Sequence, residues 1–387
     1  MPATMIEDRR TVNTVQLKKQ VLRAFKLKRP LFIWGGPGIG KSNLIEQIVN
    51  SGDLGKACMF DMRLGLVEPT DIRGVPYYNK ESGKMDWADP VDLPSEEVAK
   101  QYDTIVLFLD EFNQAVPAVQ AASYQLVLNR RVGQYKLPDN VVVIAAGNRE
   151  TDKGVSYRMP KPLENRFGHF ELKCEFGPWL DWAVNRPIDN SGNQPVAIHP
   201  DVVGYLTCHK QDLYTFDPAS SSRGFATPRT WEFVSDNLEG IEDTDFTDND
   251  IIDMVSAYVG EGLALKFNTH MKMSAKMPNP TDIISGKVTE VAKDTDVSAK
   301  YSLSTSIAYE LKELLETTEK EGKEETFTKA MDNVLAFMMK NFETELVLAS
   351  GRVMLNTYKL PVHPKKNKNA PEFFKRYGKL ILGNEDE

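Results

Sequence analysis

Along the first 150 positions the apolar residues fall in short solid runs, separated by stretches with a helical rhythm. Over 12–27, Val15, Val21, Leu22 and Phe25 recur on roughly a helical period, and Pro30 marks a break. Leu31-Phe32-Ile33-Trp34 is then apolar at every position, the pattern of a strand buried on both faces. A glycine-rich loop follows, and 43–49 continues as an amphipathic helix. A further strand is expected over 57–62, and two clearer ones, apolar at every position, over 105–109 and 141–146. Apolar strands alternating with helices predict an α/β fold, a parallel sheet sandwiched by helices.

Two stretches depart from this rhythm. Between Asp71 and Pro94, the arms Val75-Pro76-Tyr77-Tyr78 and Lys84-Met85-Asp86-Trp87 flank a polar turn, which predicts a hairpin carrying aromatics. From Phe176 onward strands give way to helical stretches, among them 179–184, 230–238, 251–268, 308–315 and 327–342. The charged run 319–325 reads as a solvated loop or helix end. No internal repeat is visible.

Composition narrows the class. At 387 residues, two or three domains are expected. A net charge of −8 argues against bulk attraction to nucleic acid. Cys58, Cys174 and Cys208 are too scattered for a zinc cluster or disulfide framework, which points to a reducing compartment. Residues 1–10 lack the apolar core of a signal peptide, and no run is long enough to span a membrane, so a cytoplasmic location is expected.

The strongest chemical signal is Gly35-Gly36-Pro37-Gly38-Ile39-Gly40-Lys41-Ser42, which fits Gly-x-x-x-x-Gly-Lys-Ser between a strand and a helix. Its amides and the helix N-terminus would cradle the phosphates of ATP, with Lys41 on the β and γ groups and Ser42 on Mg²⁺. The strand at 105–109 ends in Asp110-Glu111. Asp110 would hold the metal through water and Glu111 would polarise the attacking water. Asn148, just beyond the strand at 141–146, can reach the γ-phosphate or the lytic water; taken alone it would only start a turn. Arg166 and Arg229 are candidates to stabilise transition-state charge, against the plainer reading of each as a surface ion pair.

These motifs in this order resemble a MoxR-type AAA+ ATPase, of the branch with an insert in its second helix and a dynein-related core. The resemblance rests on 35–42, Phe108-Leu109-Asp110-Glu111-Phe112-Asn113-Gln114-Ala115, Ala146-Gly147-Asn148-Arg149, Leu163-Glu164-Asn165-Arg166-Phe167 and Ala226-Thr227-Pro228-Arg229-Thr230-Trp231-Glu232. It covers about residues 12 to 270. It implies an AAA+ core over 1–173 with the insert at about 72–94, a helical lid over 174–280, and a helical C-terminal extension over 281–387. By position, Asn148 becomes the first sensor, Arg166 the arginine finger acting in trans, and Arg229 the second sensor. Val75 to Trp87 falls where the pore-side insert belongs, against a plain core-packed hairpin. Arg130 and Arg131, before a second hairpin at 132–137, compete for an intersubunit role. Arg149 stands where many members of the family have proline.

The function implied is ATP hydrolysis in a ring, a hexamer in the family's manner, that remodels or matures a protein client. Family members commonly act with a partner carrying a von Willebrand factor A domain. A nucleic-acid motor or restriction-type GTPase is the alternative, favoured only by a basic C-terminal stretch containing Tyr358, Phe373, Phe374 and Tyr377. A nucleotide-gated scaffold with little turnover is the other, and intact Asp110, Glu111 and Arg166 argue against it.

Overall fold

The computed structural model describes residues 10–152, 157–186, 197–241, 244–292 and 294–382. The signal-peptide reading of residues 1–10 therefore falls almost wholly outside the described residues. The chain divides into two compact units. The first runs to Pro178 and takes in Phe216–Ser221; the second holds Trp179–Arg186, the stretch ending at Thr215, and the chain from Ser222 onward.

The strands are β1 (Arg10–Val12), β2 (Leu31–Trp34), β3 (Ala57–Arg63), β4 (Val75–Asn79), β5 (Lys84–Ala88), β6 (Thr104–Asp110), β7 (Arg131–Val132), β8 (Tyr135–Lys136), β9 (Val141–Gly147) and β10 (Gly168–Leu172). Six form one parallel sheet in the order β1-β10-β2-β9-β6-β3. Every residue of β2 and β9 is buried, as their unbroken apolar sequences require of strands inside a parallel sheet. The edge formed by β1 and β10 is not legible in the sequence. Arg10-Thr11-Val12 buries only Val12, and Gly168-His169-Phe170-Glu171-Leu172 fully buries only Leu172.

The helix expected over 12–27 starts two residues later. Asn13 accepts a hydrogen bond from the Gln16 amide, and the Gln16 side chain accepts one from the Asn13 amide, a reciprocal cap that separates β1 from helix Thr14–Leu27. That helix buries Leu17, Val21, Ala24 and Phe25. Around β2 an aromatic set links neighbouring strands and the turn after β6. Phe32 meets Phe112 and Phe167 edge to face, and Trp34 donates its indole N–H to His169 Nδ1 at 2.9 Å. The other His169 nitrogen then donates to the Glu164 carbonyl at 2.8 Å.

β4 and β5 form a separate antiparallel pair, as the sequence predicts, flanked by short helices Pro69–Arg73 and Glu96–Ala99. Asn79 closes the turn by accepting the Glu81 and Ser82 amides. Val75, Tyr77, Tyr78 and Met85 are exposed, so this hairpin is not a core element.

The second unit is helical. The single helix expected over 251–268 is two, Asp248–Val259 and Glu261–Ser274. Gly260 lies between them at φ +91°, in the region that favours glycine, and bends the chain where the apolar period alone runs straight through. Trp231, Tyr205 and Phe267 interlock, all three fully buried. Burying a side chain of this size contributes about 1.5–3 kcal/mol. A second core joins Val297–Glu321, Glu324–Asn341 and the C-terminal helices through Leu311, Met331, Val334 and Phe373. The charged run 319–325 spans the end of the first of these helices, where Gly322 is left-handed, and the start of the next.

Candidate nucleotide site

In the strand order β2-β9-β6 the three carboxyl ends lie side by side, and each delivers one part of the site. β2 runs into the glycine-rich loop, β9 into Asn148, and β6 into Asp110-Glu111. The loop needs its glycines: Gly38 and Gly40 have φ of +70° and +88°, and Gly40 leads straight into helix Lys41–Asn50. The first-turn amides of that helix lack acceptors within the helix, and they set a partial positive charge at the loop.

The Lys41 ammonium donates to the Gly35 carbonyl at 2.8 Å, the Gly36 carbonyl at 3.0 Å and Asn148 Oδ1 at 2.9 Å. All three acceptors are neutral, so the charged oxygens of a phosphate are stronger partners for the same cation. Ser42 Oγ donates to Asp110 Oδ2 at 2.8 Å. A hydroxyl and a carboxylate held together in this way are a hard-oxygen pair of the kind Mg²⁺ prefers. Asp110 Oδ1 accepts the Glu111 amide at 2.8 Å. Glu111 has φ +53°, an uncommon conformation for a non-glycine residue, and its carboxylate lies against Gly65, just past the end of β3.

Asn148 is held from behind. The buried Asn113, in the short turn Phe112–Gln114, donates Nδ2 to the Asn148 carbonyl at 2.7 Å, and its backbone carbonyl accepts the Tyr157 amide. Asn113 thus links the acidic turn to the sensor position. In the sequence this role has a single faint signal, an asparagine three residues after Asp110. Asp61 on β3 is a second residue that sequence reasoning does not single out. Partial burial and then the neighbouring Asp110 carboxylate push its carboxyl pKa up; Arg63 pulls the other way and Glu111 adds to the rise. Arg149, which stands where the resembled family often has proline, pairs with Glu171 of β10 at 2.5 Å.

The arginines separate. Arg166 is exposed and lies two residues before β10, whose first residue registers with Leu31 at the start of β2. In a parallel sheet this is the amino edge, opposite the edge that holds Lys41, Asp110 and Asn148. Arg229 is exposed at the start of helix Pro228–Leu238 in the other unit. Neither has an ion pair among the described residues. Arg130 is half-buried and donates to the Pro138 and Val141 carbonyls at 2.6 and 2.8 Å, so its guanidinium is committed to the turn before β9. Arg131 is exposed.

Residues 31–177 match the family described as ATPase family associated with various cellular activities (AAA). The chain therefore carries an AAA ATPase domain; it binds nucleotide and is an ATP hydrolase. It is also similar to three solved structures. One is NtrX from Brucella abortus in complex with ADP, at 13% identity over 90% of this chain and 68% of that one, with a TM-score of 0.38. A point mutant of RuvB from Thermotoga maritima is 15% identical over 71% and 76%, with a TM-score of 0.34. A candidate ATPase from Cytophaga hutchinsonii is 13% identical over 96% and 89%, with a TM-score of 0.32. Among the described residues no helix is long and apolar enough to cross a membrane.

Proposed function

We propose that the chain is a MoxR-like AAA+ ATPase that assembles into a ring in the cytoplasm, a hexamer, and uses ATP to remodel or mature a protein client. The division into AAA+ core, helical lid over 174–280 and C-terminal extension belongs to the same reading. The observation that carries it is the convergence of Lys41, Asn148, Ser42 and Asp110 at adjacent strand ends, in two bonded pairs of 2.9 and 2.8 Å. In this scheme the loop amides and Lys41 hold the β and γ phosphates, Asn148 orients the terminal group, and Glu111 takes the proton of the attacking water. When bound, Mg²⁺ at Ser42 and Asp110 neutralises charge on the phosphate oxygens.

Arg166 acts on the site of a neighbouring copy. Its position at the amino edge of the sheet supports that, because its own nucleotide lies at the other edge. Arg229 is the second sensor. The exposed Tyr77, Tyr78 and Met85 of the hairpin are the client-contacting surface, and a von Willebrand factor A domain protein is the proposed partner. The nucleic-acid alternative is less well supported: of its four aromatics Phe373 and Tyr377 are buried in the helical core, and Tyr358 and Phe374 are partly buried against it.

A pull-down with Glu111→Gln in ATP tests the proposal. It should retain an assembled ring together with a bound protein. A variant that binds ATP yet stays monomeric and captures nothing would overturn both the ring and the client.

A further inference from the structure

The helical unit is electrically lopsided along its sequence. From Thr230 to Leu265 there are ten Asp or Glu and no Lys or Arg. From Arg352 to Leu382 there are eight Lys or Arg, and Glu372 is the only acid. The two stretches are built differently, and among the described residues most of the charge in each is exposed. Helices Pro228–Leu238 and Asp248–Val259 bury Trp231, Val234, Leu238, Val255 and Val259, while Asp236, Glu239, Asp245 and Asp253 are exposed. In the C-terminal segment Phe373, Tyr377 and Ile381 recur every fourth residue and are buried in the core. Lys365, Lys366, Lys375 and Lys379 are exposed.

Among the described residues neither lobe neutralises the other. Arg376 pairs with Glu372, Asp248 with Lys272 and Glu232 with Arg186, but among the described residues no ion pair joins the acidic stretch to the basic one. Each lobe also exposes large apolar side chains, Phe233 and Phe246 on the acidic lobe and Leu380 and Leu382 on the basic one. Charged residues interspersed with exposed apolar ones suit a protein partner, since interfaces combine an apolar centre with a charged rim. A phosphate backbone would use the charges and leave the apolar residues in water.

We infer that the basic lobe at 352–382 docks onto the acidic lobe at 230–265 of a second copy of this chain. The two surfaces are different patches of one molecule, so the contact is head-to-tail, and repetition of a head-to-tail contact whose rotation closes generates a ring. The inference rests on the ring reading above and adds to it the surfaces that hold neighbours together. It gives the C-terminal region a role in assembly that does not involve the nucleotide site.

The test is a charge swap in the full chain, with assembly followed by light scattering after size exclusion at low salt with a non-hydrolysable ATP analogue. Lys365→Glu/Lys366→Glu/Lys375→Glu, and separately Asp236→Lys/Glu239→Lys/Asp245→Lys, should each weaken assembly on the order of 10-fold or more. All six residues are exposed, and far-ultraviolet circular dichroism with nucleotide binding checks that each variant folds. Mixing the two variants should restore assembly, because alternating copies meet with opposite charges at every contact. The sixfold variant should recover on its own. Unchanged assembly in both triple variants, or no recovery on mixing and in the sixfold variant, would overturn the inference while leaving the ring intact. Assembly unchanged but duplex DNA binding lost in the lysine variant would assign the basic lobe to nucleic acid instead. A wild-type chain that stays monomeric throughout would remove the ring reading itself.

Discussion

The two units use polar residues in opposite ways. In the α/β unit Lys41, Ser42, Asp110 and Asn148 gather at the open ends of three strands, only partly buried, and satisfy one another with bonds that a ligand can replace. In the helical unit the bonded polar clusters of the core are sealed. His270 is buried between Ser298 Oγ at 2.8 Å and Ser302 Oγ at 3.0 Å, and Ser298 is itself bonded to Asp296. Tyr205 donates to Asp212, whose carbonyl accepts the Trp231 indole N–H. Close geometry alone does not mark a site of chemistry. What separates the regions is whether solvent and a ligand can reach the bonded groups. A saturated buried network fixes helices against each other, because an unmet polar group there costs about 1–3 kcal/mol.

The sharpest break of this contrast is at Lys41. Lys41→Ala should lower ATP turnover on the order of 10³-fold and weaken nucleotide binding, while thermal stability stays close to wild type. Steady-state hydrolysis with a fluorescent nucleotide titration reads both; near-normal turnover would detach the loop from the chemistry. Glu111→Gln should keep nucleotide binding and lose turnover on the order of 10²-fold or more. Single-turnover hydrolysis is the measurement, and wild-type rates would remove Glu111 from the mechanism.

Asn113→Leu probes positioning. It deletes the bond to the Asn148 carbonyl while keeping most of the side-chain volume, so kcat should fall about 10-fold with KM for ATP little changed. Equal loss in folding stability and in both kinetic constants would mean that Asn113 only supports the fold.

The smallest effect is expected in the sealed network. Burial holds the His270 pKa below its ordinary value, although Asp201 and Asp296 pull it up; His209 adds to the lowering. The unfolded chain therefore binds the proton more readily than the folded one. Stability is full above about pH 6.5 and is lost as pH falls toward the folded value. His270→Gln should cost about 1 kcal/mol at neutral pH and flatten that acid-side slope, with nucleotide affinity unchanged. Thermal melts between about pH 5 and 8 would show it; an unaltered slope would place the titration elsewhere.

The glycine-rich loop, the acidic pair and the strands they follow are legible because each is local. An unbroken apolar run, a phosphate-binding loop and a charge at a strand end need only neighbours in sequence. The hairpin at Val75–Asn79 and Lys84–Ala88 is legible for the same reason. Other features depend on partners far along the chain. Arg10 of β1 pairs with Phe170 of β10, and neither strand has a strong apolar pattern of its own. Gly260 splits a helix whose apolar period runs on unbroken, so backbone geometry decided what side-chain pattern did not. Asn113 matters only once β6 and β9 lie side by side, and Arg130 turns out to brace carbonyls of its own unit. The sequence alone determined which chemical groups this protein has and the local shapes that present them. Tertiary structure decided which of those groups meet, since strand order and burial are set by the whole chain's packing and not by any one segment.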